Sequence, residues 1–128
     1  MTREIRLPLR FRDVDAFGHV YHAEYLTLLD EARTQWFREA AALDEPGAYV
    51  VARIEIDYVS SLVLDDAEVV ATFAVEQVGT SSVTLAETLS APDGRVAARI
   101  RSVTVRHDLA AGRSRPLTDA EKDRLAQP

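Results

Sequence analysis

A single long amphipathic helix, set between one strand and four others, is the feature that most constrains the fold of this chain. From about residue 23 to 41, apolar residues recur at three- and four-residue spacing: Leu26, Leu29, Ala32, Trp36 and Ala40. This helix carries most of the large apolar stripe, so a sheet can bury it only by curling around it. The sequence therefore predicts an α+β fold in which a curved antiparallel β-sheet wraps one central helix.

Strand signals flank this helix on both sides. Before it, Ile5, Leu7, Leu9 and Phe11 alternate with polar residues, and Pro8 among them indicates an edge or bulged strand. After it, a break at residues 44–47 (Asp-Glu-Pro-Gly) precedes strand-like segments at about 49–59, 67–79, 82–91 and 95–107. We expect these four segments to form an antiparallel meander, and the half-wrapped sheet to pair one edge with a second copy as at least a homodimer.

The chain is expected to be one domain, residues 1–128, without an internal repeat or linker. The capping-box pattern from Thr118 to Glu121 predicts a short C-terminal helical tail at about 117–126. No apolar run approaches the ~20 residues of a membrane span, and the first residues lack the apolar centre of a secretory signal, so we expect a cytoplasmic protein without a transmembrane segment. The net charge of −6 argues against nucleic acid as a partner.

Chemistry-bearing residues crowd into the loop before the helix. Asp13, Asp15, Gly18, His19 and His22 all fall within ten residues, and the helix follows directly. A helix N-terminus offers unpaired N–H groups and a partial positive charge, which can polarise a carbonyl oxygen while a nearby aspartate acts as base or nucleophile. The chain contains no cysteine, so a thiolate nucleophile is excluded. This combination indicates acyl-transfer chemistry.

The segment Asp13-Val-Asp15-Ala-Phe-Gly18-His-Val20-Tyr-His22, followed by Tyr25 and by Glu31-Ala-Arg33, resembles the hotdog-fold acyl-CoA thioesterases of the 4-hydroxybenzoyl-CoA thioesterase family. It is most similar to their Tol-Pal-associated branch, whose Asp-x-Asp-x-x-Gly-x-Val-Tyr-His pattern it reproduces. A weaker resemblance extends over roughly residues 4–115 and includes Ile56-Asp-Tyr58. Two departures, Phe17 in place of a small residue and Val59-Ser-Ser61 in place of a proline-containing bend, bear on the choice of substrate.

The resemblance implies hydrolysis of an acyl-CoA thioester to a carboxylic acid and free CoA, at a site built on a dimer interface. Asp15 aligns with the catalytic carboxylate, which attacks the thioester carbonyl or activates a water. His22 aligns with the second catalytic residue, and the helix start from Val20 to His22 would stabilise the oxyanion. Gly18, His19, Val20 and Tyr25 are the expected substrate-binding residues. No metal or redox cofactor is expected, because a thioester is already activated toward attack by oxygen.

Several alternatives remain open from the sequence alone. Asp15 could serve as a turn former or helix cap and His22 as a packing residue, since these residue types are common in loops. Asp13, Asp15, His19 and His22 could together bind a metal ion. Glu24 or Glu31 could replace Asp15 as the catalytic carboxylate, because another hotdog branch uses a glutamate on this helix.

The substrate and the assembly are also open. The same fold could act on acyl groups carried by an acyl carrier protein, or could bind acyl-CoA without turning it over. The sequence does not distinguish aromatic from aliphatic acyl groups, or a homodimer from a dimer-of-dimers tetramer.

Overall fold

The computed structural model describes residues 4–40 and 48–126 of the chain. The helices and strands within these ranges are β1 (Glu4–Pro8), α1 (Glu24–Ala40), β2 (Tyr49–Tyr58), β3 (Glu68–Val78), β4 (Ser82–Ser90), β5 (Val96–Asp108), β6 (Arg113–Ser114) and α2 (Asp119–Leu125). Each strand and helix expected from the sequence is present within a few residues. The break expected at residues 44–47 lies outside the described residues.

The strands form an antiparallel sheet in the order β1-β3-β4-β5-β2, with the short β6 on the end of β5. The expected four-strand meander is therefore wrong for β2, which pairs along its whole length with β5 and not with β3. Alternation along a strand specifies its buried face but not its partner, so the pattern could not reveal this crossover. Between β2 and β3, the chain crosses the start of α1.

Helix α1 lies in the concave face of this sheet. Its buried side chains are Tyr25, Leu28, Leu29, Ala32, Trp36 and Phe37, and they meet sheet residues such as Phe73, Leu85, Leu89 and Ile100. The Trp36 and Phe73 rings lie 5.6 Å apart between centroids. Burying each large apolar side chain contributes ~1.5–3 kcal/mol, so this face anchors the helix. The α+β hotdog fold expected from the sequence is confirmed.

Two details of the predicted apolar pattern are wrong. Leu26 is 38% exposed, because the buried stripe of α1 runs through Tyr25 and Leu28 instead. Strand β1 ends at Pro8, and Phe11 lies in a 3-10 turn with its side chain 84% exposed. The prediction that Pro8 belongs to an edge strand is confirmed, since among the described strands β1 pairs with β3 alone.

The C-terminal tail folds back on the sheet. Thr118 caps α2 with the expected capping box, and Leu125 is buried. Glu121 lies within 2.7 Å of Arg106 and 2.9 Å of Arg115. Burial acts to raise the pKa of Glu121, but hydrogen bonds from Arg115 and Thr118 outweigh it and lower this pKa to about 2. Neither helix in the described ranges has the length and apolar character needed to cross a bilayer.

Candidate active site

The loop between β1 and α1 places its two aspartates in opposite environments. Asp13 is fully buried, and its Oδ2 accepts a hydrogen bond of 2.8 Å from the Arg10 backbone N–H. The Arg10 guanidinium lies 3.4 Å from both carboxylate oxygens, and the Asp13 carbonyl accepts from Tyr21 N–H at 2.9 Å. Hydrogen bonding and charge from Asp13 raise the pKa of Arg10. Asp13 therefore fixes the shape of the loop.

Asp15 is exposed and opens a tight hairpin. Its Oδ1 accepts hydrogen bonds from the backbone N–H groups of Phe17 at 2.8 Å and His19 at 3.2 Å. Gly18 closes the turn with φ +79°, a conformation that favours glycine over residues with a Cβ. Oδ2 of Asp15 has no hydrogen-bond partner within residues 4–40 and 48–126. Oδ1 of Asp15 can therefore form the turn while Oδ2 remains available for chemistry.

The hairpin is held against the β2–β3 connection. His19 forms an isolated antiparallel bridge with Val63, and Val20 N–H donates to the Leu62 carbonyl at 2.8 Å. Asp15 N–H in turn donates to the His19 carbonyl at 2.8 Å. The position of Asp15 thus depends on residues more than forty positions later in the chain.

The start of α1 leaves backbone donors available. Tyr21 N–H is used by the Asp13 carbonyl and Glu24 N–H by the Tyr21 carbonyl, and Val20 N–H is used by Leu62. The N–H groups of His22 and Ala23 have no partner in the part of the chain that the structure describes. Within the expected oxyanion segment from Val20 to His22, only His22 therefore retains an unpaired N–H group.

These groups meet in an open pocket of about 360 Å³ between the hairpin, the start of α1 and the end of β2. The pocket is lined by Asp15, His19, Val20, His22, Tyr25, Tyr58, Val59, Ser60 and Ser61. Five of the six residues expected at the site thus line one pocket, and the sixth, Gly18, shapes the hairpin instead. The side chain of Phe17 is 85% exposed and is not part of the lining, so it does not narrow this pocket.

The second wall of the pocket contains residues that were not expected at the site. Tyr58 donates its hydroxyl to the His22 carbonyl at 2.9 Å, and its ring packs edge-on against Tyr25 at 5.1 Å. Burial raises the pKa of Tyr58. Tyr58 belongs to the Ile56-Asp-Tyr58 segment of the weaker resemblance, which was the signal that could have found it. Ser60 and Ser61 fall in the Val59-Ser-Ser61 departure, which marked this segment as different from the family but did not place it in the pocket.

The other candidate ligands and carboxylates lie elsewhere. Asp13 is engaged by Arg10 and does not line the pocket, so the four residues considered as metal ligands do not converge. No cluster of three or more histidine, aspartate or glutamate side chains suited to a metal ion occurs within residues 4–40 and 48–126. Glu24 and Glu31 do not line the pocket; their charges act on Arg10.

Further along α1, charged groups are buried and paired. Arg33 donates to both carboxylate oxygens of Glu87 at 2.7 and 2.8 Å, and Ser102 donates to Glu87 at 2.9 Å. Asp30 accepts from Arg33 at the helix surface at 2.7 Å. Burial acts to lower the pKa of Arg33, but the hydrogen bonds and charge of Glu87 outweigh it and raise that pKa. This network joins α1 to the middle of the sheet.

Comparison with known proteins finds similarity along nearly the whole chain. The model of the thioesterase-like superfamily matches residues 9–125. The acyl-CoA thioester hydrolase YbgC of Escherichia coli O6:H1 is 35% identical over 89 residues, which cover 64% of this chain and 66% of YbgC. The acyl-CoA thioesterase YbgC of Haemophilus influenzae is 39% identical over 75 residues, which cover 54% and 55%. The chain thus spans just under two thirds of the length of the E. coli relative.

A solved structure is similar over a longer stretch. A thioesterase from Thermus thermophilus, crystallised with coenzyme A and Zn, superposes with a TM-score of 0.85 at 34% sequence identity. The superposition covers 98% of this chain and 95% of the T. thermophilus chain.

Proposed function

The chain belongs to the thioesterase-like superfamily, and from that premise we propose that it is an acyl-CoA thioesterase, which hydrolyses an acyl-CoA to a carboxylic acid and free coenzyme A. The observation that carries this proposal is the Asp15 carboxylate, which has one unpartnered oxygen in a pocket beside the unpaired N–H groups at the start of α1. The activity named for the YbgC relatives and the coenzyme A bound by the T. thermophilus thioesterase support it.

Asp15 would supply the attacking oxygen in one of two ways. As a general base, its Oδ2 takes a proton from a water whose oxygen bonds to the thioester carbon. As a nucleophile, Oδ2 bonds to that carbon itself and forms a mixed anhydride, which water then hydrolyses. In both routes the carbon–sulfur bond breaks and coenzyme A leaves as a thiolate that takes up a proton. Neither route needs a metal ion or a redox cofactor.

The start of α1 would stabilise the negative charge that develops on the thioester oxygen. The His22 N–H is unpaired among the described residues and lies where the positive end of the helix dipole adds to its effect. Removal of one such donor costs about 10²–10³ in rate in well-studied acyl-transfer enzymes. Val20, with its N–H engaged, and Tyr25 contribute as walls of the pocket.

The site would be completed by a second copy of the chain. Strand β2 forms an edge of the sheet, and its apolar side chains Val50, Val51 and Tyr58 are 38–47% exposed. An antiparallel two-fold pairing of β2 centred on Ile54 would place Arg53 of one copy opposite Glu55 of the other, which makes the edge complementary to itself. The pocket lies at one end of this edge, so the second copy would cover its open side.

The proposal is tested by thiol release from short-chain, long-chain and aromatic acyl-CoAs, with Asp15→Asn in parallel. Asparagine keeps the acceptor oxygen that forms the hairpin but cannot act as base or nucleophile, so we expect a loss of about 10²–10⁴ in kcat with the fold unchanged. Asp108→Asn is the matched control, because Asp108 is an aspartate at the start of a turn whose Oδ1 accepts from Ala111 N–H far from the pocket. Equal turnover by the Asp15 variant and this control would contradict the mechanism.

Adding acyl groups on an acyl carrier protein to the panel, and measuring binding of acyl-CoA as well as thiol release, separates the remaining functions. Turnover of acyl groups on an acyl carrier protein, with none on acyl-CoA, would identify the carrier protein as the source of the substrate. Saturable binding of acyl-CoA without thiol release, by a folded dimer, would identify a non-catalytic binding module and overturn the proposal.

A further inference from the structure

We propose that Arg95, in the turn between β4 and β5, is a positioning residue for the Asp15 pocket. Arg95 fixes the β2–β3 connection, and this connection is hydrogen-bonded to the hairpin that contains Asp15. The inference rests on the proposed function for its kinetic consequence. Its structural consequence can be measured independently of any activity.

Arg95 holds the connection at two points. One guanidinium nitrogen donates to both carboxylate oxygens of Asp66, at 2.9 and 3.0 Å, and another donates to the Ser61 carbonyl. Asp66 itself accepts from Val63 N–H at 2.9 Å. A guanidinium presents its donors in a rigid planar fork, so these contacts fix direction as well as distance. The stretch from Ser61 to Asp66 is thereby tied to the turn between β4 and β5.

The fixed segment is the one that positions the site. The Leu62 carbonyl accepts from Val20 N–H, and Leu62 N–H donates to the Tyr25 hydroxyl at 3.2 Å. The bridge between Val63 and His19 continues through the backbone hydrogen bond from Asp15 to His19. Arg95 therefore acts on Asp15 and on the start of α1 through the same short stretch of chain.

Residues 61–66 depend on Arg95 more than the residues of a continuous strand would depend on one side chain. Between Tyr58 and Glu68 the chain forms one isolated bridge, at Val63, and one 3-10 turn, Leu64–Asp66, so no continuous ladder holds it. Its start is held separately, since the N–H groups of Val59 and Ser60 donate to the Ala97 carbonyl. Arg95 therefore matters most for residues 61–66. Arg95 does not line the pocket. A displacement of about 1 Å between reacting groups can cost about 10² in rate, which makes kcat the sensitive quantity.

The experiment compares Arg95→Met with Arg101→Met. Arg101 is an exposed β5 arginine that pairs with Glu76 at 2.9 Å on the opposite face of the sheet from α1, which makes it a matched control. We expect Arg95→Met to lower kcat about ten-fold with KM changed less than about two-fold, and Arg101→Met to change neither. Arg95→Lys retains the charge but not the fork, and we expect it to restore part of kcat. A kcat for Arg95→Met equal to that of Arg101→Met, or an effect confined to KM, would overturn the proposal.

Amide hydrogen exchange provides the readout that does not depend on activity. We expect Arg95→Met to increase exchange at residues 18–25 and 59–66, while the two strands β4 and β5 keep their protection. Asp66→Asn, which weakens the Arg95–Asp66 pair but keeps the Ser61 contact, should increase exchange less at the same residues. The double variant should exchange no faster than Arg95→Met, because that variant already lacks the pair. Unchanged exchange at residues 18–25 would overturn the positioning role. Increased exchange in a protein without thioesterase activity would support it and refute only the proposed function.

Discussion

Two carboxylates beside helix α1 lie in contrasting settings. In the hairpin before the helix, Asp15 is exposed, with one oxygen committed to the hairpin and the other unpartnered among the described residues. Further along, Arg33 and Glu87 are buried, and both carboxylate oxygens of Glu87 accept hydrogen bonds. The first arrangement leaves a lone pair for chemistry, whereas the second uses its lone pairs to join the helix to the sheet. In the proposed mechanism, the partners of each oxygen, and not the type of residue, distinguish a carboxylate available for chemistry from a structural one.

Burial explains why the Glu87 carboxylate cannot take the role proposed for Asp15. Moving a charge out of water costs several kcal/mol, and a buried ion pair recovers that cost only with close geometry and further hydrogen bonds. Glu87 meets this condition through Arg33 and Ser102 and so cannot give up a partner to activate a water. Asp15 is exposed and its Oδ2 has no partner among the described residues, so the proposed reaction there would break no structural contact.

The largest expected effect comes from breaking the buried pair. Arg33→Met leaves the Glu87 carboxylate buried with Ser102 as its remaining partner, and we expect a loss of about 3–5 kcal/mol in the free energy of unfolding. Urea titration followed by circular dichroism measures it. The double variant Arg33→Met/Glu87→Leu removes both charges and should recover most of that loss. A cost below about 1 kcal/mol for Arg33→Met would mean that the pair does not stabilise this part of the fold.

A smaller effect is expected at Asp13, the buried neighbour of the proposed catalytic residue Asp15. Asp13→Asn removes the charge that faces Arg10 and places an amide NH₂ where only donors are present, which should cost about 1–3 kcal/mol in the free energy of unfolding. Asp15→Asn should leave this free energy nearly unchanged. We expect the reverse order for kcat, with the smaller loss at Asp13. Equal losses of kcat in the two variants would contradict the division of roles between the two carboxylates.

The smallest effect is expected from a contact at the start of α1, the hydrogen bond between Tyr58 and His22. Tyr58→Phe deletes the hydroxyl that donates to the His22 carbonyl but keeps the ring against Tyr25. A neutral hydrogen bond contributes about 1 kcal/mol, so we expect kcat to fall about five-fold. Tyr21→Phe is the control, since the Tyr21 ring also lies beside His22 at 4.5 Å but its hydroxyl has no hydrogen bond to the described residues. Equal kcat values for the two variants would show that the contact to His22 does not position the helix start.

The sequence predicted the strands, the helix and one wall of the site because these follow from local patterns. Alternation located β1 to within a few residues, and the requirement for a positive φ was implicit in Gly18. Hydrophobic spacing placed Leu29, Ala32 and Trp36 correctly in the core. It also assigned Leu26 to the core, because Tyr25 with its polar hydroxyl was not counted in the apolar stripe.

Features that depend on distant contacts were not accessible in the same way. The motif contains two aspartates, and only the contacts of Arg10 show that Asp13 is the buried one. The partner of β2 follows from a crossover that no local signal specifies, and Ser60 and Ser61 reach the pocket through it. The candidate residues near the helix could therefore be named from the sequence. On the opposite wall, only Tyr58 had a signal, in the Ile56-Asp-Tyr58 resemblance.

The crossover between β2 and β3 also sets the order in which the molecule can assemble. The hairpin and α1 leave the ribosome before β3, β4 and β5, so the apolar face of the helix has no sheet to cover it until most of the chain is made. The contacts that then close the pocket join residues more than forty positions apart, and contacts of such separation form slowly. We therefore expect the rate of folding to be limited by the docking of the β2–β3 connection onto the hairpin. The Asp15 carboxylate should reach its final position only after the sheet has formed.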